Sequence, residues 1–408
     1  MTGPAPWLFV IGIGEDGIAG LAPAARAILA ACDLVVGGER HLAMLDDLPA
    51  ERIIWTAPFS ANRDRLAGNR GRRVVVLASG DPMWFGIGSV LIRWFGAAEV
   101  RVVTRPGSFS LAAAAMGWAV QDCRCLTIHG RPAAALSLHL FPGARLLVLS
   151  ENASSPAEVA GLLAAQGFGG SHVTVLEHLG GTAERRFDAT AAGWPHPAGA
   201  DLNVLAIEVI ADPGWSRRPA VPGLPDEAFD HDGQITKREI RAVTLSALAP
   251  WPGALLWDIG AGSGSIAIEW MRAGGRACAL EQDPARCARI GVNALTLGVP
   301  GLEIIEGRAP DALASLPPRP DSVFVGGGVT SPQVLDLCWS ALSCGGRLVA
   351  NAVTLESEQA LARRFTLYGG DLVRLSVERL VPIGSMHGWR PAMPVTQWSV
   401  VKPGHSRQ

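Results

Sequence analysis

Leu255-Leu256-Trp257-Asp258-Ile259-Gly260-Ala261-Gly262-Ser263-Gly264-Ser265-Ile266-Ala267-Ile268 decides the fold of the second half of this chain. The apolar run 255–257 has the length of an inner strand. Gly260, Gly262 and Gly264 then let the backbone turn sharply and approach a ligand with no Cβ in the way. The apolar periodicity resumes as a helix, whose first amides face the same ligand. Asp258 sits at the strand's carboxyl end, the edge at which open α/β sheets bind ligands. A second strand, Arg276 to Glu281, ends in an acid placed to hydrogen-bond a ribose diol. A glycine turn with an acid after the second strand fits either a dinucleotide or S-adenosylmethionine.

The strands continue downstream. Leu302 to Pro310 reads as a third strand ending in a turn, with Gly307 and Ala309 on it. Asp321 to Gly328 is a fourth strand, closed by three glycines that leave room for a broad, flat substrate beside Gly327. Gly345 to Glu356 gives a fifth, with Asn351 and Glu356 near its carboxyl end, and Val395–Val401 alternates like part of an antiparallel pair of edge strands. The form Asp-x-Gly-x-Gly-x-Gly, from Asp258 to Gly264, resembles the class I S-adenosylmethionine methyltransferases. That resemblance implies that Asp258, Gly260, Gly262, Gly264 and Glu281 bind the cofactor and that Gly307 and Ala309 line its adenine pocket. The Asn-Pro-Pro-Tyr run of amino-group methylases is absent, as is the Pro-Cys of pyrimidine methylases. Upstream, Pro225-Asp226-Glu227-Ala228-Phe229 precedes Thr236-Lys237-Arg238-Glu239-Ile240-Arg241. Thr236 reads as a helix N-cap with Glu239 at the capping-box position. The two patterns together resemble the decarboxylating precorrin methyltransferases, in which this threonine borders the cofactor site.

The first half opens on Trp7-Leu8-Phe9-Val10-Ile11-Gly12-Ile13-Gly14-Glu15-Asp16-Gly17, a strand and a glycine turn. An Ala-rich helix over 18–31 and a short strand at 34–38 follow. A nicotinamide site would want an acid at the end of that second strand, but Gly37 and Gly38 stand ahead of Glu39. Arg73 to Ser79 is a buried strand that runs into Gly80-Asp81-Pro82, where the proline forces a turn. Val100–Val103 and the turn Pro106-Gly107-Ser108 lead into a helix over 111–117. From Phe9 to Glu208 this order resembles the tetrapyrrole (corrin/porphyrin) methylase family, in which the Gly-Asp-Pro loop follows the third strand. The resemblance implies a two-lobed α/β fold with S-adenosylmethionine between the lobes, against Gly80, Asp81, Pro82 and Ser108. The tetrapyrrole would lie in a trough at Gly12 and Gly14.

Residues 211–225 hold four prolines and two glycines without a hydrophobic period, which marks a linker. The expected organisation is 1–211 as the tetrapyrrole methylase domain, 212–223 as linker, and 224–408 as the class I methyltransferase domain. A chain of 408 residues is long enough for a separate core in each. The formal net charge of −2 gives no reason to expect nucleic acid or an anionic membrane as partner. Only Lys237 and Lys402 are lysine among 35 basic residues; arginine suits bidentate grip on carboxylates, and a GC-rich genome would give the same bias. No apolar run approaches the roughly 18 residues of a membrane span, and the N-terminus has no signal-peptide pattern. Seven cysteines without a C-x-x-C pair and nine scattered histidines suggest a reduced cytoplasm and no metal site.

The two halves in this order resemble the fused, bifunctional methyltransferases of corrin synthesis. The resemblance implies methylation of a precorrin at meso carbon 5 by the first domain. It implies methylation at carbon 15, with loss of carbon dioxide from the ring C acetate, by the second. A substrate with many carboxylates points to arginines, of which Arg241, Arg347 and Arg390 are candidates. Gly327 and Asn351 are expected beside the macrocycle, His231 and Glu356 to move protons, and a homo-oligomer to form. An RNA methyltransferase, or a non-catalytic scaffold that carries corrin intermediates, is the alternative.

Overall fold

The computed structural model describes residues 5–45, 48–216 and 219–403, so Arg217 and Arg218 of the proline-rich segment lie outside the described residues. Strands that are apolar throughout become inner strands of parallel sheets, where both faces are covered. In the first half these are β1 (Leu8–Ile13), β2 (Leu34–Gly37), β3 (Glu51–Ile54), β4 (Val74–Ser79) and β5 (Val100–Val103). They pair in the order β3-β2-β4-β1-β5, all parallel, with β1 buried along its whole length. β3 was not legible because it is a short edge strand with largely exposed side chains. The Gly-Asp-Pro loop therefore follows the fourth strand, not the third. The helix expected over 18–31 is divided into a 3-10 turn at Gly17–Gly20 and a helix at Pro23–Ala30, since Pro23 fits only the first helical turn.

A second sheet completes this half: β6 (Cys123–Thr127), β7 (Arg145–Leu149), β8 (His172–Glu177), β9 (Arg185–Thr190) and β10 (Asn203–Glu208). Its order is β6-β7-β10-β8-β9, with only β6 and β7 parallel. The helix Ser108–Met116 buries Phe109, Ala112 and Ala113 against Leu147, Val204 and Ala206 of that sheet.

The chain divides into two compact units, Met1–Ala133 with His139–Trp215 and Ala134–Leu138 with Ser216–Gln408. The first residues of the proline-rich segment belong to the first unit. The Asp212 carboxylate accepts from the amides of Gly169 and Gly170 at 2.9 and 2.8 Å, and Trp215 packs 5.2 Å from Phe168.

The second unit contains β11 (Leu255–Ile259), β12 (Arg276–Glu281), β13 (Glu303–Glu306), β14 (Ser322–Val325), β15 (Arg347–Ala352), β16 (Asp371–Leu375), β17 (Glu378–Ile383), β18 (Met386–Pro391) and β19 (Val395–Val401). Seven of them form one sheet in the order β13-β12-β11-β14-β15-β19-β16, and β17 with β18 makes a separate hairpin. β19 is an inner strand, not an edge strand: it pairs antiparallel with both β15 and β16, and Trp398 is 1% exposed.

One buried cation organises the entry to this unit. Arg241, on the helix Arg238–Leu248, is 0% exposed. Its Nε donates to Glu269 Oε1 at 2.6 Å and its Nη1 to Asp226 Oδ1 at 3.1 Å. The Thr236 and Leu224 carbonyls take further N–H groups, and the guanidinium lies 4.8 Å from the Phe229 ring centroid. Glu269 in turn accepts from the amides of Gly223 and Leu224. The motif quoted above is thus a clamp, and Arg241 cannot meet a substrate carboxylate. Lys237 is the helix N-cap, so the capping role expected of Thr236 is not made. Arg241→Met leaves Glu269 buried without its cation and should cost the second unit about 3–5 kcal/mol, read by chemical denaturation. Glu269→Gln in the same protein should recover part of that loss.

Candidate functional site

The carboxyl ends of β11, β12, β13 and β14 open into a cleft of about 730 Å³. Register explains the grouping: Ile259 pairs with Leu280 and with Val325, and Glu281 with Glu306, so the turns after all four strands end level. Of the residues expected from sequence, Thr236, Gly260, Gly262, Glu281, Gly307, Ala309, Gly327 and Asn351 line it. Gly260 and Gly262 both have positive φ, +72° and +60°. A Cβ on Gly260 would lie 2.8 Å from the Gly327 nitrogen, and one on Gly262 would lie 3.0 Å from the Gln234 carbonyl. Side chains there would fill the cradle, so the loop fits an adenosyl group only as glycine.

Glu281 is 4% exposed, and its Oε2 accepts from Gly262 N at 2.8 Å while Oε1 accepts from Gln282 N and Asp283 N. Each carboxylate oxygen offers about two acceptor sites, so Oε2 retains one for a ribose hydroxyl. Asn351 donates to Thr244 Oγ1 at 3.0 Å and accepts from Gln397 Nε2 at 2.9 Å, which fixes its amide at the cleft floor.

Asp258 and Gly264 do not line the cleft. Asp258 is 1% exposed beneath the glycine turn, where one oxygen accepts from Ala267 N at 3.0 Å and the other has no partner among the described residues. Burial raises its carboxyl to about 7 against the pull of the Ala267 hydrogen bond, and the Glu281 charge adds to the rise. Gly264, at φ +75°, ends the turn against Ile290.

His231 and Glu356 are not brought onto the cleft wall. His231 Nδ1 accepts from Gly233 N at 3.1 Å within its own loop. Glu356 is exposed in the first turn of the helix Leu355–Tyr368, where a carboxylate complements the helix N-terminus. Arg347 starts β15 at the end of the sheet away from the cleft and donates to the Ala247 carbonyl. Arg390 also stays off the wall, but it pairs across the hairpin with Arg379, and directly opposed residues share a face. Arg379 does line the cleft, as does Arg308, and the sequence reading had neither. Arg308 adjoins the Gly307 turn and was legible by adjacency; Arg379 depends on a hairpin whose register only folding reveals.

In the first unit the turns after β4, β1 and β5 converge. A Cβ on Gly12 would lie 2.0 Å from the Gly80 carbonyl, and one on Gly80 2.9 Å from Gly107 Cα. Asp81 Oδ1 accepts from Met83 N at 2.8 Å, which shapes the Asp81-Pro82 turn. Ser108 opens its helix immediately after Gly107, and Gly14 abuts the Arg105 guanidinium, itself held bidentate by Asp16 at 2.7 and 3.0 Å. Gly12, Gly14, Gly80, Asp81, Pro82 and Ser108 are therefore one locality. Among the described residues no group of three or more His, Cys, Asp or Glu could hold a metal ion, and no helix is long and apolar enough to cross a membrane.

The second unit is a class I S-adenosylmethionine-dependent methyltransferase domain, and the first is a two-lobed tetrapyrrole methylase. The model for Tetrapyrrole (Corrin/Porphyrin) Methylases matches residues 8–193, and that for the Precorrin methyltransferase domain matches 227–402. The chain is 51% identical, over 98% of its length and 97% of the relative, to Precorrin-6Y C(5,15)-methyltransferase (decarboxylating) of a Sinorhizobium species. It is 45% identical to the protein of that name in Mycobacterium tuberculosis, over 97% of this chain and 100% of the relative. Cobalt-precorrin-7 C(5)-methyltransferase of Salmonella typhimurium is 32% identical over 44% of this chain and 88% of that protein. The chain belongs to the precorrin-6Y C(5,15)-methyltransferase (decarboxylating) family.

Asp258 yields a pH test. Its folded carboxyl binds a proton more tightly than the unfolded one, near 4, so the folded state loses stability as pH rises from about 4 to about 7. Asp258→Asn keeps an acceptor for Ala267 N and removes that slope. Its melting temperature relative to the parent should therefore rise between about pH 5 and about pH 8. A constant difference would show that Asp258 does not titrate in this range.

Proposed function

We infer that the protein transfers methyl groups from S-adenosylmethionine to two carbons of a precorrin and removes one carboxylate as carbon dioxide, in cobalamin biosynthesis. The observation that carries this is the presence, in one chain matched end to end by its relatives, of two glycine-lined sites built on unrelated folds.

S-adenosylmethionine supplies a methyl group already activated on a sulfonium sulfur. The protein's own task is then to align and to exclude water. In the second unit Gly260 and Gly262 keep the cradle open, Glu281 accepts from the ribose, and Thr236, Gly307 and Ala309 border the adenosyl group, with Asp258 and Gly264 holding the turn from behind. Gly327 and Asn351 border the flat macrocycle. Arg308 brings positive charge to its acid side chains, and Arg379, with Arg390 on the same hairpin face, is held on the wall by the Glu239 carboxylate at 2.7 and 3.0 Å. In the first unit Gly80, Asp81, Pro82 and Ser108 cradle the donor, and Gly12 and Gly14 leave the trough free for the tetrapyrrole. We assign carbon 5 to the first unit, and carbon 15 with the decarboxylation to the second. His231 and Glu356 are given no proton to move, because neither reaches the cleft.

We also infer a homo-oligomer. The hairpin β17–β18 leaves Leu380 and Trp389, on the face opposite Arg379 and Arg390, 55% and 66% exposed. A two-stranded hairpin alone is marginal in water, so a second copy of the chain covers it. Trp389→Glu with Leu380→Glu should reduce the mass read by light scattering to that of a monomer. A reducing cytoplasm suits the seven free thiols.

The division of labour is tested by Gly262→Val, whose side chain runs into the Gln234 carbonyl and closes only the second cradle. Calorimetry should lose one of two S-adenosylmethionine sites. The product, weighed by mass spectrometry after incubation with a precorrin, should gain one methyl and retain its carboxylates. Loss of carbon dioxide from this variant would reverse the assignment.

A further inference from the structure

We propose that His178, oriented by Glu15, is the proton acceptor for methyl transfer in the first unit, an assignment that rests on the functional reading above. The chemistry requires such a group. When the macrocycle's carbon bonds the methyl, the carbon–sulfur bond breaks with its electrons left on sulfur. The carbon then carries both the new methyl and its original hydrogen, and the ring is cationic. The hydrogen must leave as a proton so that the electrons of its bond return to the ring. The glycines and proline of this site have no titratable side chain, and Asp81 has an oxygen committed to Met83 N.

Glu15 directly follows Gly14 at the trough, and its Oε2 lies 2.9 Å from His178 Nδ1, a contact between residues 163 apart in the chain. A carboxylate accepts, so the Nδ1–H points at Glu15 and the Nε2 lone pair is left free. Nε2 makes no hydrogen bond among the described residues, and the side chain is 28% exposed. The other Glu15 oxygen is held by Arg40, whose second nitrogen donates to Ser79 Oγ at 2.9 Å. The dyad is therefore fixed from both sides. His178 follows β8 directly and has φ +49°, a conformation that a non-glycine residue holds only under constraint. Its loop lies against both halves of the site. A Cβ on Gly181 would be 2.6 Å from Glu15 Cβ, and one on Gly180 would be 3.6 Å from Leu111, on the helix that opens at Ser108. The His178 loop thus touches Glu15, next to the turn that borders the macrocycle, and Leu111, on the helix that follows the turn that cradles the donor.

The full-length protein tests this with His178→Gly and His178→Asn, both of which suit the left-handed backbone. Methylation by the first unit should fall about 100-fold or more, so that the product gains one methyl and loses carbon dioxide through the second unit alone. Calorimetry should show both S-adenosylmethionine sites intact, and added imidazole should restore methylation to His178→Gly. Glu15→Gln, a change in a positioning residue, should lower kcat with KM unchanged. Parental methylation by either His178 variant, loss of a donor site along with the activity, or failure of imidazole to rescue would overturn the assignment. A parent protein that transfers no methyl to a precorrin would sink the functional reading itself, before any variant is made.

Discussion

The Arg241–Glu269 pair is the contact on which the second unit's cleft depends. Taking both charges out of water is expensive, and the pair is tolerable only because nearly every donor and acceptor is used. Arg241 spends its N–H groups on two carboxylates and two carbonyls, and Glu269 takes two backbone amides besides. The consequence is positional. The Thr236 carbonyl is drawn inward, which pins the segment Gly233–Lys237 that forms one wall of the cleft. That wall comes close enough to Gly262 that a methyl group would touch the Gln234 carbonyl. An apolar replacement of the pair could match its stability, but it could not hold a carbonyl at a fixed point.

The two units solve one problem twice. Each brings two loops together backbone to backbone at the carboxyl ends of parallel strands, where we propose that the donor binds. In the second unit the turn after β11 meets the turn after β14 at Gly260 and Gly327; in the first, the turn after β4 meets the turn after β5 at Gly80 and Gly107. Neither contact survives a side chain at Gly260 or at Gly80. The glycines are thus required by loop-to-loop distance as much as by φ, which is why they cluster at one edge of each sheet. The sheets themselves are unrelated: five parallel strands in one case, and in the other seven, of which β19 runs antiparallel to both its neighbours.

This explains what could be read without the structure. The glycine turns, the acid at Glu281 and the Gly-Asp-Pro loop are local signals, written within a few residues, and each falls at the carboxyl end of a strand, the Gly-Asp-Pro loop one strand later than expected because β3 intervenes. The Thr236–Arg241 motif was visible but its meaning was not, because the partner Glu269 lies 28 residues beyond Arg241 and nothing local marks a buried acid. β19 looked like an edge strand because its sequence alternates, yet β16 pairs on its far side and makes it internal. Arg379 and His178 were missed for the same reason. The first depends on hairpin register and the second on a contact between the two lobes of the first unit, and neither distance is encoded in spacing.

On the division of labour we propose, the difference in polar inventory between the sites follows from the fate of the charge. In both, bonding a methyl to the macrocycle leaves a cation. Where no carboxylate is lost, a proton must go to a base, and the first unit has a carboxylate–imidazole pair beside its trough. Where carbon dioxide leaves, the electron pair of the broken carbon–carbon bond discharges the ring, and no base is needed for that step. The second cleft presents Arg308, a fixed amide at Asn351 and the carboxylates of Glu281 and Glu239, the latter paired with Arg379, with no histidine among the described residues of its wall. Under that proposed division, a cation there holds the departing acid's neighbours, and Ile259, Leu280 and Phe324 on the same wall favour a reaction in which a charged carboxylate becomes a neutral gas.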